Sequence, residues 1–208
     1  MNGRQTPLIA GEGLPYVVVA LAATGATWYF LGGASALAPA AASILLFLIF
    51  RDPARDTPAV PLGVISPVDG KVIEVSLTER SALGGEAHKI LIRINSLGTY
   101  TARCPVEGKI DDIRGNGAGN GADEDFRGLW VRTDENEDVV LQFHGFRFGL
   151  APTAFLGFGE RVGQGQRCAY LRLTRVAEVQ LPVNSRIMVA SGQRVAAGAD
   201  LLAKLPHG

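Results

Sequence analysis

The chain has 208 residues, with 47% hydrophobic side chains, 19% charged ones, 26 glycines and 11 prolines, a composition that excludes a disordered tail. Basic and acidic residues both number 20, so no net field draws in nucleic acid or acidic lipid over a distance, and a nucleic-acid binder is disfavoured. Two cysteines, Cys104 and Cys168, are too few for a disulfide framework or a multi-cysteine zinc site; they suit buried thiols in a reducing compartment, with a single bridge between them as the alternative.

Leu14 to Phe50 carries no formal charge and is bracketed by Glu12 and Arg51, far more uninterrupted apolar chain than a soluble core element needs. Gly32-Gly33 and Pro39 divide it, so two short helices are expected at about 15 to 31 and 38 to 50, forming a membrane hairpin, spanning or re-entrant, as the anchor of residues 1 to 50. Arg4 before it and Arg51 and Arg55 after it place both ends in the cytoplasm by the positive-inside bias, which puts the protein in the inner membrane with its polar domain on the cytoplasmic side. A signal peptide cut near Ala34-Ser35-Ala36-Leu37-Ala38 is disfavoured, because it would leave Ile44 to Phe50 near a new N-terminus. A single tilted helix with a short flanking helix is the other alternative.

The charged, proline-rich stretch from Arg51 to Pro58 opens a linker over 51 to 61, and a β-rich domain follows over 62 to 208. Short β-branched or alternating runs predict strands at Lys71–Val75, Lys89–Ile94, Leu129–Arg132, Val139–Phe143, Tyr170–Leu173, Val176–Leu181 and Arg186–Val189. Past residue 60, only Phe146 to Phe155 has any helical period. Gly115 to Gly121 contains G-x-G-x-G elements but lacks the strand-before, helix-after context and the lysine of a phosphate loop, so it reads as a loop.

Internal similarity is more informative. Pro67-Val68-Asp69-Gly70-Lys71-Val72 recurs as Pro105-Val106-Glu107-Gly108-Lys109-Ile110 and, more loosely, as Pro182-Val183-Asn184-Ser185-Arg186-Ile187. A second pattern, G-x-R-V-x-x-G, appears at Gly159 to Gly165 and again at Gly192 to Gly198. Two alternating element types of this kind predict a compact, mainly β, barrel-sandwich-hybrid-like domain, similar to biotinyl and lipoyl carriers and to sugar phosphotransferase carrier domains. A carrier role would need an exposed lysine in a hairpin context; Lys71 and Lys109 follow Asp69-Gly70 and Glu107-Gly108 instead.

Phe50-Arg51-Asp52-Pro53, Ser66 to Val72, Arg103 to Ile110, Gly159-Glu160-Arg161-Val162, Gly165-Gln166-Arg167, Arg172 and Leu181-Pro182, taken in order, resemble the short bacterial phosphatidylserine decarboxylase proenzymes over nearly the whole chain. The resemblance implies decarboxylation of phosphatidylserine to phosphatidylethanolamine through a pyruvoyl group that the chain makes from itself. That chemistry needs a serine after a glycine, its hydroxyl attacking the preceding carbonyl, with an aspartate and a histidine assisting.

Aligned without a gap, the family's Gly-Ser falls on Thr174-Arg175, and no Gly-Ser dipeptide occurs anywhere in the chain; Ser185 and Ser191 lie outside the matching strand. The family's histidine and asparagine fall on Tyr100 and Ala102, and a tyrosine titrates near 10, too high for a base at neutral pH. Of the family's catalytic set only Asp69 remains, and aspartate before glycine is also an ordinary turn residue. His144 stands where the family has a small residue, and no metal-ligand spacing occurs around it, so no metal is expected. Asp123-Glu124-Asp125 would repel an anionic headgroup.

These residues imply a non-cleaving, inactive relative with no pyruvoyl cofactor formable at Arg175, acting as a lipid-binding or structural subunit of a membrane complex. Its expected partners are membrane lipid and other membrane-protein subunits or further copies of itself, and not nucleic acid. The alternative is an active decarboxylase processed at an unorthodox site, Thr174, which would give a 2-oxobutyryl group.

Overall fold

The structure, a computed structural model, describes residues 8–114, 127–146, 150–154 and 156–206. The loop Gly115 to Gly121 and the acidic run Asp123 to Asp125 lie outside the described residues. The described residues fall into two compact units, one made of those within 1–54 and 97–100 and the other of those within 55–96 and 101–208.

In the first unit, α1 (Leu14–Leu31) and α2 (Leu37–Phe50) pair as the expected hairpin, and Thr24 Oγ1 meets Ser43 Oγ at 3.1 Å between them. Pro15 opens α1 at a position where its missing N–H costs nothing, and Gly32 closes it with φ 87. The helix surfaces are apolar nearly all round, with Val19, Trp28, Tyr29, Phe30 and Leu31 exposed. By length and composition α1 can cross a bilayer. Ile9 bridges Arg51, and the Asp52 N–H donates to the Leu8 carbonyl, closing the base of the hairpin.

The second unit is built of strands. The largest sheet has the order β13 (Arg194–Val195), β2 (Gly70–Thr78), β3 (Ala87–Ile94), β11 (Val176–Pro182), β7 (Asp138–His144), β6 (Arg127–Arg132), β5 (Gly108–Arg114), β9 (Arg161–Val162), all antiparallel. Two smaller sheets join β1 (Gly63–Ile65), β14 (Leu201–Lys204) and β12 (Arg186–Ile187), and β4 (Thr101–Arg103), β10 (Arg167–Tyr170) and β8 (Thr153–Ala154). No barrel closes. The inward positions Val72, Ile90, Ile92, Ile110, Val131, Leu141, Val179 and Leu202 make the core.

The sequence repeats become a pseudo-two-fold whose axis passes between β11 and β7. The hairpin β2–β3 edged by β13 matches the hairpin β5–β6 edged by β9, with a bulge at Val72/Glu74 in one and at Ile110/Asp112 in the other. The hydrogen bonds repeat as well: the Val72 N–H donates to Gln193 O as the Ile110 N–H donates to Glu160 O. Near the axis the two Pro-Val copies bind each other, Ile65 N–H to Pro105 O and Arg103 N–H to Pro67 O, each at 2.9 Å. Gly70 and Gly108 are required at equivalent points, where a Cβ would land on the carbonyl oxygens of Arg93 and Arg132.

Four expectations differ from the structure, the simplest being that the strand expected at Arg186–Val189 ends at Ile187. The looser third copy, Pro182 to Ile187, turns through a Ser185 N–H to Pro182 O bond into β12 of a small sheet, a place equivalent to neither of the other two. The strand expected at Tyr170–Leu173 stops at Tyr170, because Arg172 adopts φ 48 and the chain turns. Within Phe146 to Phe155, whose residues 147–149 and 155 are outside the described set, Thr153–Ala154 pair with β10 as a strand and not as a helix, so β-sheet hydrogen bonding overrides the short apolar period.

Candidate functional site

Asp69 sits in the turn entering β2, with its side chain 13% exposed. Its carboxylate accepts the Ala197 N–H at Oδ1 (2.7 Å), and Arg55 Nη2 donates to both oxygens, 3.3 Å to Oδ1 and 3.1 Å to Oδ2. Glu107, its pseudo-symmetric counterpart, is exposed. The shared need is the turn, and Asp69 adds to it a clamp that ties the β2 turn to Arg55 and to the loop after β13.

Two successive residues at the end of β3 join this turn to the family's cleavage position. The Asn95 N–H donates to Asp69 O at 2.9 Å and the Ile94 N–H to Arg175 O at 2.8 Å. The fold therefore brings Asp69 and Arg175, more than a hundred residues apart in sequence, to one end of one sheet. Ala102 lies nearby in β4, fully buried and opposite Ala169, with its neighbour Arg103 bonded to Pro67 O. Tyr100 belongs to the first unit, where its hydroxyl donates to Glu12 Oε2 at 3.2 Å and its ring packs 4.6 Å from that of Phe50.

Thr174 is buried in the turn between β10 and β11. Its N–H and its Oγ1–H both donate to Leu171 O, at 3.1 and 2.6 Å, so the hydroxyl proton is committed to a carbonyl three residues back. The Arg175 side chain is exposed and lies against Gly145, whose φ is 71. A pyruvoyl group requires a β-hydroxyl poised on the carbonyl before it, and the donor set here does not fit: position 175 has no β-oxygen, and the oxygen at 174 is turned into its own turn.

His144 is the surprise of the site. The Arg175 N–H donates to His144 O at 3.3 Å, and His144 Nε2 lies 3.0 Å from Glu178 Oε2. Glu178 Oε1 accepts from Gln180 Nε2 (2.6 Å), and Gln180 Oε1 accepts the Ala82 N–H (2.7 Å). Burial pushes the Glu178 carboxyl up, but the hydrogen bonds from His144 and Gln180 and the charges of His144 and Lys89 outweigh it and hold it below the ordinary value. Residue spacing alone gives His144 no partner; the alternation Val176 to Leu181 is the signal that puts Glu178 and Gln180 together on the face away from the core.

Cys104 and Cys168 are free and buried in contact with each other; the hydrogen bond that the Cys104 thiol donates to Cys168, followed by burial, pushes the Cys104 thiol well above its ordinary range.

No protein-family model matches the chain. Among curated proteins it is similar to the phosphatidylserine decarboxylase proenzymes of Burkholderia ambifaria, 31% identical over 210 residues covering 96% of this chain and 97% of the relative, and of Aromatoleum aromaticum, 28% identical over 218 residues covering 99% of each. The Nitrosomonas eutropha proenzyme is 28% identical over 207 residues, 95% of each chain. Among solved structures, the glucose permease IIA domain of Mycoplasma capricolum superposes with a TM-score of 0.46 at 17% identity, covering 68% of this chain and 94% of that one.

Proposed function

The chain belongs to the phosphatidylserine decarboxylase proenzyme family, and we propose that within it this protein is a non-cleaving, catalytically inactive member, anchored in the inner membrane and acting there as a lipid-binding or structural subunit of a membrane assembly. The observation that carries the reading is the Thr174–Arg175 turn. Self-processing begins when a hydroxyl attacks the carbonyl carbon before it, and the C–N bond breaks as an ester forms. Elimination of the carboxylate then cuts the chain and leaves an enamine at the new terminus, and water displaces its nitrogen as ammonia to leave a ketone. Arg175 offers no hydroxyl, and the Thr174 hydroxyl donates to Leu171 O.

Two further features support it. Asp69, the family position retained, has its carboxylate engaged by Arg55 and the Ala197 N–H. Tyr100, at the family's histidine position, spends its hydroxyl on Glu12. The apolar hairpin supports the membrane placement, and Arg4, Arg51 and Arg55 support a cytoplasmic β domain.

The test is the intact mass of the full chain purified from native membranes. The expected result is a single species of 22.0 kDa. Two fragments meeting ahead of residue 174 or 175, one blocked by a carbonyl, together with release of carbon dioxide from phosphatidylserine, would overturn the reading, and a cut ahead of residue 174 is the one that processing at Thr174 gives.

A further inference from the structure

Equal totals of acid and base conceal a segregation that only the strand register reveals. Across the sheet His144 pairs with Val176, Val176 with Arg93, Arg93 with Lys71, and Lys71 with Arg194. Directly paired residues point to the same face of a sheet. Their neighbours Phe143, Ala177, Ile92, Val72 and Val195 are buried in the core, so this row lies on the outward face. Arg93, Lys71 and Arg194 are contiguous at the β13 edge, about 5 Å apart per strand, and all three are exposed.

The pseudo-symmetric row, Arg161, Lys109 and Arg132, is largely compensated. There Arg161 pairs with Asp134, and Arg132 with Asp111 and Asp138, while Lys109 alone of the three has no ion pair among the described residues. In the first row Lys71, Arg93 and Arg194 have no ion pair or side-chain hydrogen bond among the described residues. The two acids nearest on that face are occupied, Glu74 by Lys89 and Glu178 by His144. The pseudo-two-fold is thus kept in the backbone and broken in charge, leaving one edge of the domain uncompensated and positive.

We propose that Lys71, Arg93 and Arg194 form a docking surface for an anionic phospholipid bilayer. The inference rests on the membrane-anchored reading above, because the apolar hairpin of the same chain keeps a bilayer within reach. It narrows that reading to a lipid class and three residues. Charge complementarity selects the occupant, and a cluster of cations beside an anionic leaflet gains with each charge and weakens with salt.

The test uses the full chain in nanodiscs of phosphatidylcholine alone or mixed with phosphatidylglycerol. An environment-sensitive fluorophore is placed on Ser191→Cys, an exposed position next to β13, the native thiols of Cys104 and Cys168 being buried. Anionic discs are expected to blue-shift the emission and to allow quenching by a lipid-borne spin label, and about 0.5 M salt to abolish both. Each cation removed lowers the docked-to-undocked ratio about fivefold. K71Q/R93Q/R194Q therefore loses the signal, while K109Q/R161Q on the other row keeps it. If the triple variant fails to fold by circular dichroism, R93Q and R194Q are read singly.

Equal emission in both disc types, or a triple variant indistinguishable from the parent, overturns the proposal and leaves the cations as guards against edge-strand pairing. A short DNA duplex that abolishes the docked signal by binding the row more tightly than the anionic lipid also overturns it. Failure to enter neutral discs overturns the anchored reading alone; entry without a lipid-dependent signal overturns the docking alone.

Discussion

His144 Nε2 and Glu178 Oε2 stand 3.0 Å apart across β7 and β11, directly beside the Thr174–Arg175 turn. The pair has a pH signature. A carboxyl held below its ordinary value binds protons less readily folded than unfolded, so it adds stability above the unfolded value and loses that stability as pH falls through the folded one. Stability measured by urea unfolding should therefore decline from pH 4.5 downward, where glutamate ordinarily titrates. Glu178→Gln should flatten that decline, and an unchanged slope would remove Glu178 as its source.

Asp69 and Glu107 occupy equivalent turns, which allows the turn and the clamp to be separated. If aspartate were kept only for the turn, alanine would cost the same at both sites. Because Asp69→Ala strands Arg55 and the Ala197 N–H, we expect it to cost about 1–3 kcal/mol. Glu107→Ala, at an exposed position, should cost no more than about 0.5 kcal/mol. Equal midpoints and slopes in paired denaturation curves would refute the clamp.

Gly70 and Gly108 are expected to be equally intolerant. A methyl group at either site meets a backbone carbonyl of the paired strand, which cannot yield without opening the hairpin. Gly70→Ala and Gly108→Ala should each destabilise by roughly 1–3 kcal/mol, the usual range for overpacking. Gly84→Ala is the control, since nothing lies near a Cβ there and the residual cost comes from its φ of 85 alone. Thermal unfolding of the three variants checks the order.

The Cys104 thiol is buried and its proton is held by Cys168 and by the core around it. Thiolate is the reactive species, so native protein should resist iodoacetamide at neutral pH and take up two alkyl groups only after urea unfolding. Rapid native labelling would show that the β4–β10 contact opens.

The hairpin was legible because an unbroken apolar run with Gly32-Gly33 and Pro39 inside it has few other solutions. The two Pro-Val copies were legible because each carries a glycine that the facing strand demands. Their pairing across a pseudo-two-fold was not, since one repeat is interrupted by the other and the matching strands β11 and β7 share little sequence. Pattern also missed the company of His144: Glu178 lies thirty-four residues away and approaches only through the β7–β11 register. The same holds for the cation row, whose members come from β2, β3 and β13.

Thr174 offers the most direct separation of structural from chemical use of a hydroxyl. In the turn, Oγ1 donates to Leu171 O with both atoms buried, so Thr174→Ala leaves that carbonyl with the backbone bond from residue 174 alone. The expected cost is about 1 kcal/mol, with Thr174→Ser restoring most of it. A hydroxyl used for self-cleavage behaves differently: serine, less hindered than threonine, would increase the nicked fraction, and alanine would abolish it. We expect all three chains to remain whole by intact mass while their unfolding midpoints order as Thr, Ser, Ala. A nicked fraction that follows the side chain would mean that the turn opens and that the hydroxyl reaches the carbonyl of Leu173.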